Sequence, residues 1–497
     1  MKASKRALAA LLASLFLLLA ACSGGGKINP VETEPASDSE TAETGETAKE
    51  PRDAAGFCTG YGIADITPES SVPLAGLGNT EFRMSEKILD KIYATCVAVR
   101  DEGGETLLLI SLDVIRAEKD FADQIRKIAG KEANTDADHV LVNCSHTHSA
   151  PDTSSAHPSV SPWKAKVYKA VKTAAADAVA DLDRSTVQIG TTHTENLNFV
   201  RRMYKTNGFI SANTDYGTGD ITTYESEVDT EMRIIRFDRA NGKDIVLASW
   251  QAHPTLTMMP NGVVQKDVSA DAIGAWRKYA EQDLGVNFAF FQGGAGNVNM
   301  TTKMPSEKDL ATLDYDQAGR KLCETMAGAM DSLTDTPAGK VRVLTTTLEA
   351  PYQHGDEDKI AQCQEIENLW NQDKRKEAQA LCDKYGISSG YEASAILARQ
   401  GRPATGTLEL TCYAFGDIAV TAAPFERFCQ TEKEVRERSP FAFTFALSYS
   451  NDFQKYLPAA DCWDNKGYEV VVSRFDKGTA ELVTQRQLEM LAELKAR

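Results

Sequence analysis

The run Val140-Leu141-Val142-Asn143-Cys144-Ser145-His146-Thr147-His148-Ser149-Ala150-Pro151 is the stretch around which the rest of the chain is read. Its first three residues are a short apolar run of the kind that forms a buried strand. Residues two apart on an extended chain point the same way, so His146 and His148 project together where the strand gives way to a loop. Two imidazoles aimed at one spot suit a metal ion or acid–base chemistry. A lone His-x-His is often only a polar strand end, so its weight depends on company elsewhere. The chain holds 7 His, at positions 139, 146, 148, 157, 193, 253 and 354, and spending two of them so close together is selective.

Upstream, Lys2, Lys5 and Arg6 precede the apolar run from Ala7 to Ala21, which is short for a membrane span and ends in Leu19-Ala20-Ala21-Cys22. Residues 1–21 therefore read as a secretory signal with a bacterial lipobox, and Cys22 as the lipidated first residue of the mature chain. Residues 22–55 are Gly, Ser, Thr, Glu and Pro with little to bury, so a disordered acidic tether is expected there. The expected location is extracytoplasmic, as a bacterial lipoprotein held to a membrane through its N-terminal lipid.

The body, 56–497, has the composition of a globular protein. A formal net charge of −17 and a pI near 5.0 argue against nucleic acid as a partner. Besides Cys22, the cysteines at 58, 96, 144, 323, 363, 382, 412, 429 and 462 show neither CxxC spacing nor the rhythm of a disulfide framework, which predicts buried thiols.

Within the body, strand-like and helix-like stretches alternate, the pattern of a mixed α/β fold. Tyr93–Arg100 and Thr106–Leu112 read as a hairpin through Asp101-Glu102-Gly103-Gly104. A helix with Gly130 as its stop follows, and the His strand comes next. Ser161-Pro162 then cap a second helix running to about Leu182. Two strands around Asn241-Gly242 lead into Ala252-His253-Pro254, so His253 also stands at a strand end. The strand Val286–Phe291 spills into Gln292-Gly293-Gly294-Ala295-Gly296-Asn297-Val298-Asn299. With no GK[ST] after it, this turn is a poor nucleotide loop, and its backbone amides are expected to face a reacting oxygen. Residues 354–405 are charged with helical patterning and predict a helical insertion. Leu408–Phe415 and Ile418–Ala422 form a further hairpin, leading to Pro424-Phe425-Glu426 at the head of a helix, and Phe441–Tyr449 reads as strand.

The opening Gly62-Ile63-Ala64-Asp65-Ile66-Thr67-Pro68, Ser111-Leu112-Asp113, Ser145-His146-Thr147-His148-Ser149, Ala252-His253-Pro254, the Gln292–Asn299 turn, Pro424-Phe425-Glu426, and Tyr456 with Tyr468 together resemble the neutral, non-lysosomal ceramidases, in particular their amino-terminal catalytic domain. The Ser-His-Thr-His-Ser string is the most specific of these, and the others gain force from their order. The resemblance implies one large catalytic domain over 56–497, with central β-sheets surrounded by helices. It implies a zinc ion held by His146, His253, Glu426 and Tyr456, all legitimate zinc ligands. It implies catalytic roles for His148, Tyr468 and Arg201, with Arg202 the alternative to Arg201, and substrate contacts from Asn299 and Gly296 in the Gly-rich turn. Read singly, Tyr456 is a packed tyrosine, Glu426 an acidic residue in the first turn of a helix, and Arg201 a surface charge.

Two departures bear on this. The family reads Asp-Val-Ser-Pro-Asn in the turn where this chain has Asn297-Val298-Asn299-Met300, so a mechanism needing that serine hydroxyl is not expected. The carboxy-terminal β-domain of full-length ceramidases is also not expected here, which weakens ceramide as substrate more than it weakens hydrolysis. The expected chemistry is hydrolysis of a small-molecule or lipid amide with metal-bound water as nucleophile. The alternatives are a zinc hydrolase of another extracellular amide or ester, such as an acylated sugar or cell-wall fragment, and a binding lipoprotein without catalysis.

Overall fold

The computed structural model describes residues 56–77, 83–206, 208–210, 220–260, 263–300 and 313–497. The expected signal, Cys22 and the tether lie outside them. The larger sheet is built from β1 (Cys58–Asp65), β2 (Tyr93–Arg100), β3 (Thr106–Leu112), β4 (Val140–Cys144), β5 (Asp183–His193), β6 (Glu231–Arg239), β7 (Ile245–Trp250) and β8 (Asn287–Gln292). Its spatial order is β8-β7-β6-β5-β1-β2-β3-β4. The sheet is mixed: β7 pairs parallel with β8 and β3 parallel with β4, while the pairs between them are antiparallel. A second sheet runs β9 (Val341–Pro351), β10 (Thr405–Phe415), β11 (Ile418–Ala422), β12 (Phe443–Leu447).

Period-2 alternation explains how the layers stack. Leu108, Ile110 and Leu112 of β3 pack with helices α1 (Lys119–Ala133) and α2 (Val160–Ala180), whereas Leu107 and Leu109 pack with the second sheet. In β7, Val246 and Ala248 join α3 (Asp271–Asp283) and α4 (Tyr315–Ala329), while Ile245 and Leu247 turn inward. In β10, Tyr413 and Phe415 face the first sheet, while Leu410 and Cys412 face the C-terminal helix Thr479–Ala496. The result is four layers: helices, sheet, sheet, helices. Strands covered on both faces read as unbroken apolar runs, which is why Val140-Leu141-Val142 shows no alternation of its own.

Although β4 and β8 are opposite ends of the sheet order, the sheet curls until they meet. Asn143 Oδ1 accepts the Gln292 N–H at 2.8 Å, and Asn143 Nδ2 donates to Ser448 O at 2.7 Å. Ser111 Oγ reaches Phe290 O at 2.6 Å across the same seam. The loops following β4, β7 and β8 are thereby gathered at one end.

Several local expectations shift. The stop of α1 is Asn134, in the left-handed conformation at φ 51°, and Gly130 lies inside the last turn. The second helix begins at Val160, with Ser161-Pro162 in its first turn, and ends at Ala180. Glu426 is not at a helix head: Glu426–Arg427 is a two-residue strand pairing in parallel with Tyr456–Leu457, and the helix starts at Cys429. The segment between β9 and β10 carries three helices, Ile360–Asn371, Arg375–Tyr385 and Gly390–Arg399, around a small core of their own. All nine cysteines among the described residues are buried free thiols.

Replacing Asn143 by Ala strands the buried Gln292 N–H, while the Ser448 carbonyl keeps the Ser450 hydroxyl at 2.9 Å. The expected cost is about 1–3 kcal/mol, the cost of one unsatisfied buried group, and a lowered thermal unfolding midpoint relative to wild type checks it.

Candidate metal centre

His146 leaves β4 in the left-handed region, at φ 67°, a conformation a non-glycine residue keeps only where its surroundings hold it. Its backbone N–H donates to Val114 O at 3.0 Å, and its Nδ1 to Ile115 O at 2.7 Å. His253, after β7, is held alike: its N–H donates to Val298 O at 3.0 Å and its Nδ1 to Ala295 O at 2.7 Å. A carbonyl only accepts, so the proton of each ring sits on Nδ1 and each Nε2 presents a lone pair to the interior. Both lone pairs meet one atom, Glu426 Oε2, at 3.2 Å each. The parallel pairing of Glu426 with Tyr456 brings the phenol oxygen in beside them, 3.4 Å from His253 Nε2.

Three acceptors therefore converge with no donor among them, inside a site where His146, His253, Glu426 and Tyr456 are all buried. Against the penalty of burial, a proton on Nε2 of either imidazole would pair with Glu426 and hold its carboxyl well below the usual carboxylate range, and a cation can take the place of such a proton. Burial, reinforced by Arg201, pushes His253 down to about 4, so its ring stays neutral. Burial and the Glu426 charge push the Tyr456 phenol well above its ordinary range. Two imidazoles, a carboxylate and a phenol are a donor set that fits a divalent cation such as zinc.

His148 differs from the other two histidines. Its Nε2 lies 3.3 Å from His146 Nε2, and one ring nitrogen from each of the three imidazoles lies within 4.8 Å of the others. Its Nδ1 has no partner among the described residues, so no carbonyl fixes its tautomer. The ring is half-buried, and burial together with His146 and His253 holds its pKa well below the ordinary value. The chain at Gly76 passes close over it: a Cβ there would lie 2.5 Å from His148 Nδ1, and the φ of 102° is itself a glycine conformation.

The two arginines separate cleanly. Arg201 donates to the Tyr456 hydroxyl at 3.0 Å, to Asn299 Oδ1 at 3.2 Å and to Gly296 O at 2.9 Å, with its Nε on Glu469 at 3.0 Å. Arg202 points the other way, to Glu225 and to the second oxygen of Glu469. Tyr468 stacks edge-on to Tyr456 at 5.5 Å. Asn299 is half-buried on the arginine. The amide of Gly296, expected to face a reacting oxygen, instead donates to Arg427 O at 2.7 Å, and those of Gly293 and Val298 are likewise taken by the backbone. The carbonyls of this turn are what serve the site, by holding His253 and Arg201.

Three side chains here carried no signal in sequence reasoning. Glu469 follows Tyr468 directly yet acts through the arginines. Tyr391, from the helical insertion, lies edge-on to Tyr468 at 5.2 Å. Tyr449 lies on His146 with ring centroids 4.1 Å apart.

Fold and site define a four-layer α/β protein that gathers a buried imidazole, carboxylate and phenol centre where the two ends of its main sheet meet. The family model described as neutral/alkaline non-lysosomal ceramidase, N-terminal, matches residues 57–327, more than half of the 497-residue chain. The chain belongs to that family, whose activity is hydrolysis of an amide bond. Among solved structures, the neutral ceramidase from Pseudomonas aeruginosa is similar at 17% identity and a TM-score of 0.67, covering 90% of this chain and 75% of that one. A ceramidase complexed with C2 is similar at 16% identity and a TM-score of 0.66, over 89% and 76% respectively. Both likenesses are of fold. A search of the curated proteins finds no match.

A methyl group at Gly296 would stand 2.5 Å from Glu426 O and 2.7 Å from Arg427 O. Gly296→Ala is expected to displace the Glu426 strand and lower kcat/KM about 10²-fold, the scale of an ångström-size misplacement. Steady-state kinetics on the folded variant check it.

Proposed function

We propose that this chain is a zinc-dependent amidohydrolase that cleaves the amide bond of ceramide or a closely similar N-acyl lipid. The observation that carries the reading is the convergence of His146 Nε2, His253 Nε2 and Glu426 Oε2 without a donor. His146, His253, Glu426 and Tyr456 would hold the ion. When bound, zinc supplies the Lewis acidity that polarises a carbonyl and makes hydroxide available near neutral pH.

The remaining residues divide the proton and charge work. His148, neutral and with Nδ1 uncommitted, accepts a proton from the attacking water and returns it to the leaving nitrogen. Arg201 keeps a fixed positive charge beside the place where the oxyanion develops, and its bond to Tyr456 holds the phenol oxygen in the site. Tyr468, half-buried and kept protonated by burial and the Glu426 charge, is a donor for the same oxygen. Asn299 offers no nucleophilic hydroxyl, so attack falls to water. Its departure from the family serine favours a second reading within the same chemistry, an extracellular N-acyl compound other than ceramide. The lipobox at Cys22 supports placing this activity at a membrane surface, as a lipoprotein of the extracytoplasmic side.

Elemental analysis of the purified chain is expected to find about one zinc per molecule, lost in His146→Ala and His253→Ala and retained in His148→Ala. Turnover of N-acyl amides is expected to fall in all three, by 10²-fold or more in His148→Ala. Full zinc content with full turnover in His146→Ala would refute the assignment, and a substrate panel led by ceramide separates the two substrate readings.

A further inference from the structure

We propose that Tyr449 is a further catalytic residue of this centre, its hydroxyl donating a hydrogen bond to the acyl oxygen of the bound substrate. The inference rests on the amidohydrolase reading and adds to it a residue that neither His pair nor Gly-rich turn announces. Tyr449 follows β12 in Ser448-Tyr449-Ser450, and its side chain is 1% exposed. Its ring lies against the His146 imidazole at 4.1 Å, tilted 33°, the closest ring contact His146 makes.

Two unfavourable features are concentrated in this one residue. Its φ is 51°, in the left-handed region that an aromatic side chain rarely adopts. Its hydroxyl is buried with no hydrogen-bond partner among the described residues, whereas a buried tyrosine hydroxyl normally finds one. The backbone is clamped on both sides: Tyr449 N–H donates to Phe425 O at 2.9 Å, and Cys144 N–H donates to Tyr449 O at 3.2 Å. The residue is thereby fixed between the strand that leads to His146 and the residue before Glu426. Phenylalanine would supply the same stacking surface without an unsatisfied oxygen.

The place of the residue explains why the hydroxyl is retained. Its ring lies on His146, whose Nε2 is 3.2 Å from Glu426 Oε2, so Tyr449 forms part of the wall of the centre. A phenol at neutral pH is a donor, and Tyr449 Oη has no acceptor within reach among the described residues, so the oxygen of an entering substrate is the partner it can take. Ring stacking on His146 then sets the hydroxyl at a fixed place relative to the metal ligands.

The test is Tyr449→Phe in the full-length chain, measuring zinc content, thermal midpoint and steady-state kinetics on a short-chain ceramide. The expected result is unchanged zinc, an unchanged or raised midpoint, and a fall of about 10²-fold in kcat, the scale seen when one oxyanion donor is removed. A kcat within twofold of wild type, or a loss of activity that tracks loss of zinc or of the folded state, overturns the proposal. Tyr449→Leu, which removes ring and hydroxyl together, is expected to lower the midpoint as well, so a packing role is read separately from donation. Wild type that turns over no N-acyl amide sinks the underlying reading and the Tyr449 role with it. Normal wild-type turnover with an indifferent Phe variant sinks the Tyr449 role alone.

Discussion

The structure depends on the carboxamide of Asn143. A primary amide offers a carbonyl and an N–H₂ in the geometry of a peptide group, so one side chain can stand in for a strand neighbour where none exists. Asn143 uses that likeness to bond the backbone of Gln292, at the far end of the main sheet, and of Ser448, just past the end of the second sheet. The three elements that it joins lead into the three parts of the centre: β4 into His146 and His148, β8 into the turn that supports His253, and β12 into Tyr449. A curled sheet whose ends are fixed to one another by a buried amide has little freedom to open, and the ligand atoms inherit that rigidity.

Rigidity is needed because the centre is electrostatically frustrated by itself. Carbonyls fix the protons of His146 and His253 on the outer nitrogens and turn both lone pairs on a carboxylate. Bare acceptors in a low dielectric repel one another, and a protein that holds them together does so with free energy drawn from packing elsewhere. Behind Tyr456 the arrangement is the reverse: Glu469, fully buried, is shared by Arg201 and Arg202, and Arg202 is shared with Glu225. Breaking one partner out of such a buried network leaves an uncompensated charge, so Arg201 is held in place from behind while its other nitrogens face Tyr456 and Asn299. The fixed guanidinium and the acceptor cluster together make a site with positive charge on one wall and converging donor atoms on the other.

Much of this was legible in the chain. Period-2 spacing placed His146 and His148 on one side of a strand end, and the apolar runs marked strands covered on both faces. The order of short motifs along the chain marks His253, Glu426 and Tyr456 as companions of that pair. What escaped had a common physical cause, namely contacts set by pairings too short or too distant to leave a periodic trace. Glu426 and Tyr456 are neighbours through a two-residue ladder between segments 30 residues apart in sequence and adjacent only in space. Acidic residues before a helix resemble a first turn, so the sequence places Glu426 with the helix that starts three positions later. The Gly-rich turn suggested amide donors because glycine permits close approach, yet the approach it permits is of backbone to the Glu426 strand. Nothing local distinguishes Tyr449 from any other strand-end aromatic, and its significance lies in an oxygen that bonds to nothing.

The Asn299 substitution shows how such a centre can change one member and keep its logic. A serine at this place would bring a hydroxyl, at once donor, acceptor and nucleophile. Asparagine brings a carbonyl oxygen that accepts from Arg201 at 3.2 Å and an N–H₂ free to donate. Asparagine offers no hydroxyl nucleophile and binds the guanidinium through its carbonyl, so it serves charge stabilisation and not covalent chemistry from the turn. In the proposed mechanism the nucleophile must then be water, activated at the His146, His253 and Glu426 atoms and relieved of its proton by His148. An additional fixed donor gains value in such a site, because each hydrogen bond formed only as charge develops on the substrate oxygen lowers the barrier without tightening the ground state. The hydroxyl of Tyr449, buried on the face of the His146 imidazole without a partner among the described residues, is a group placed to supply that bond.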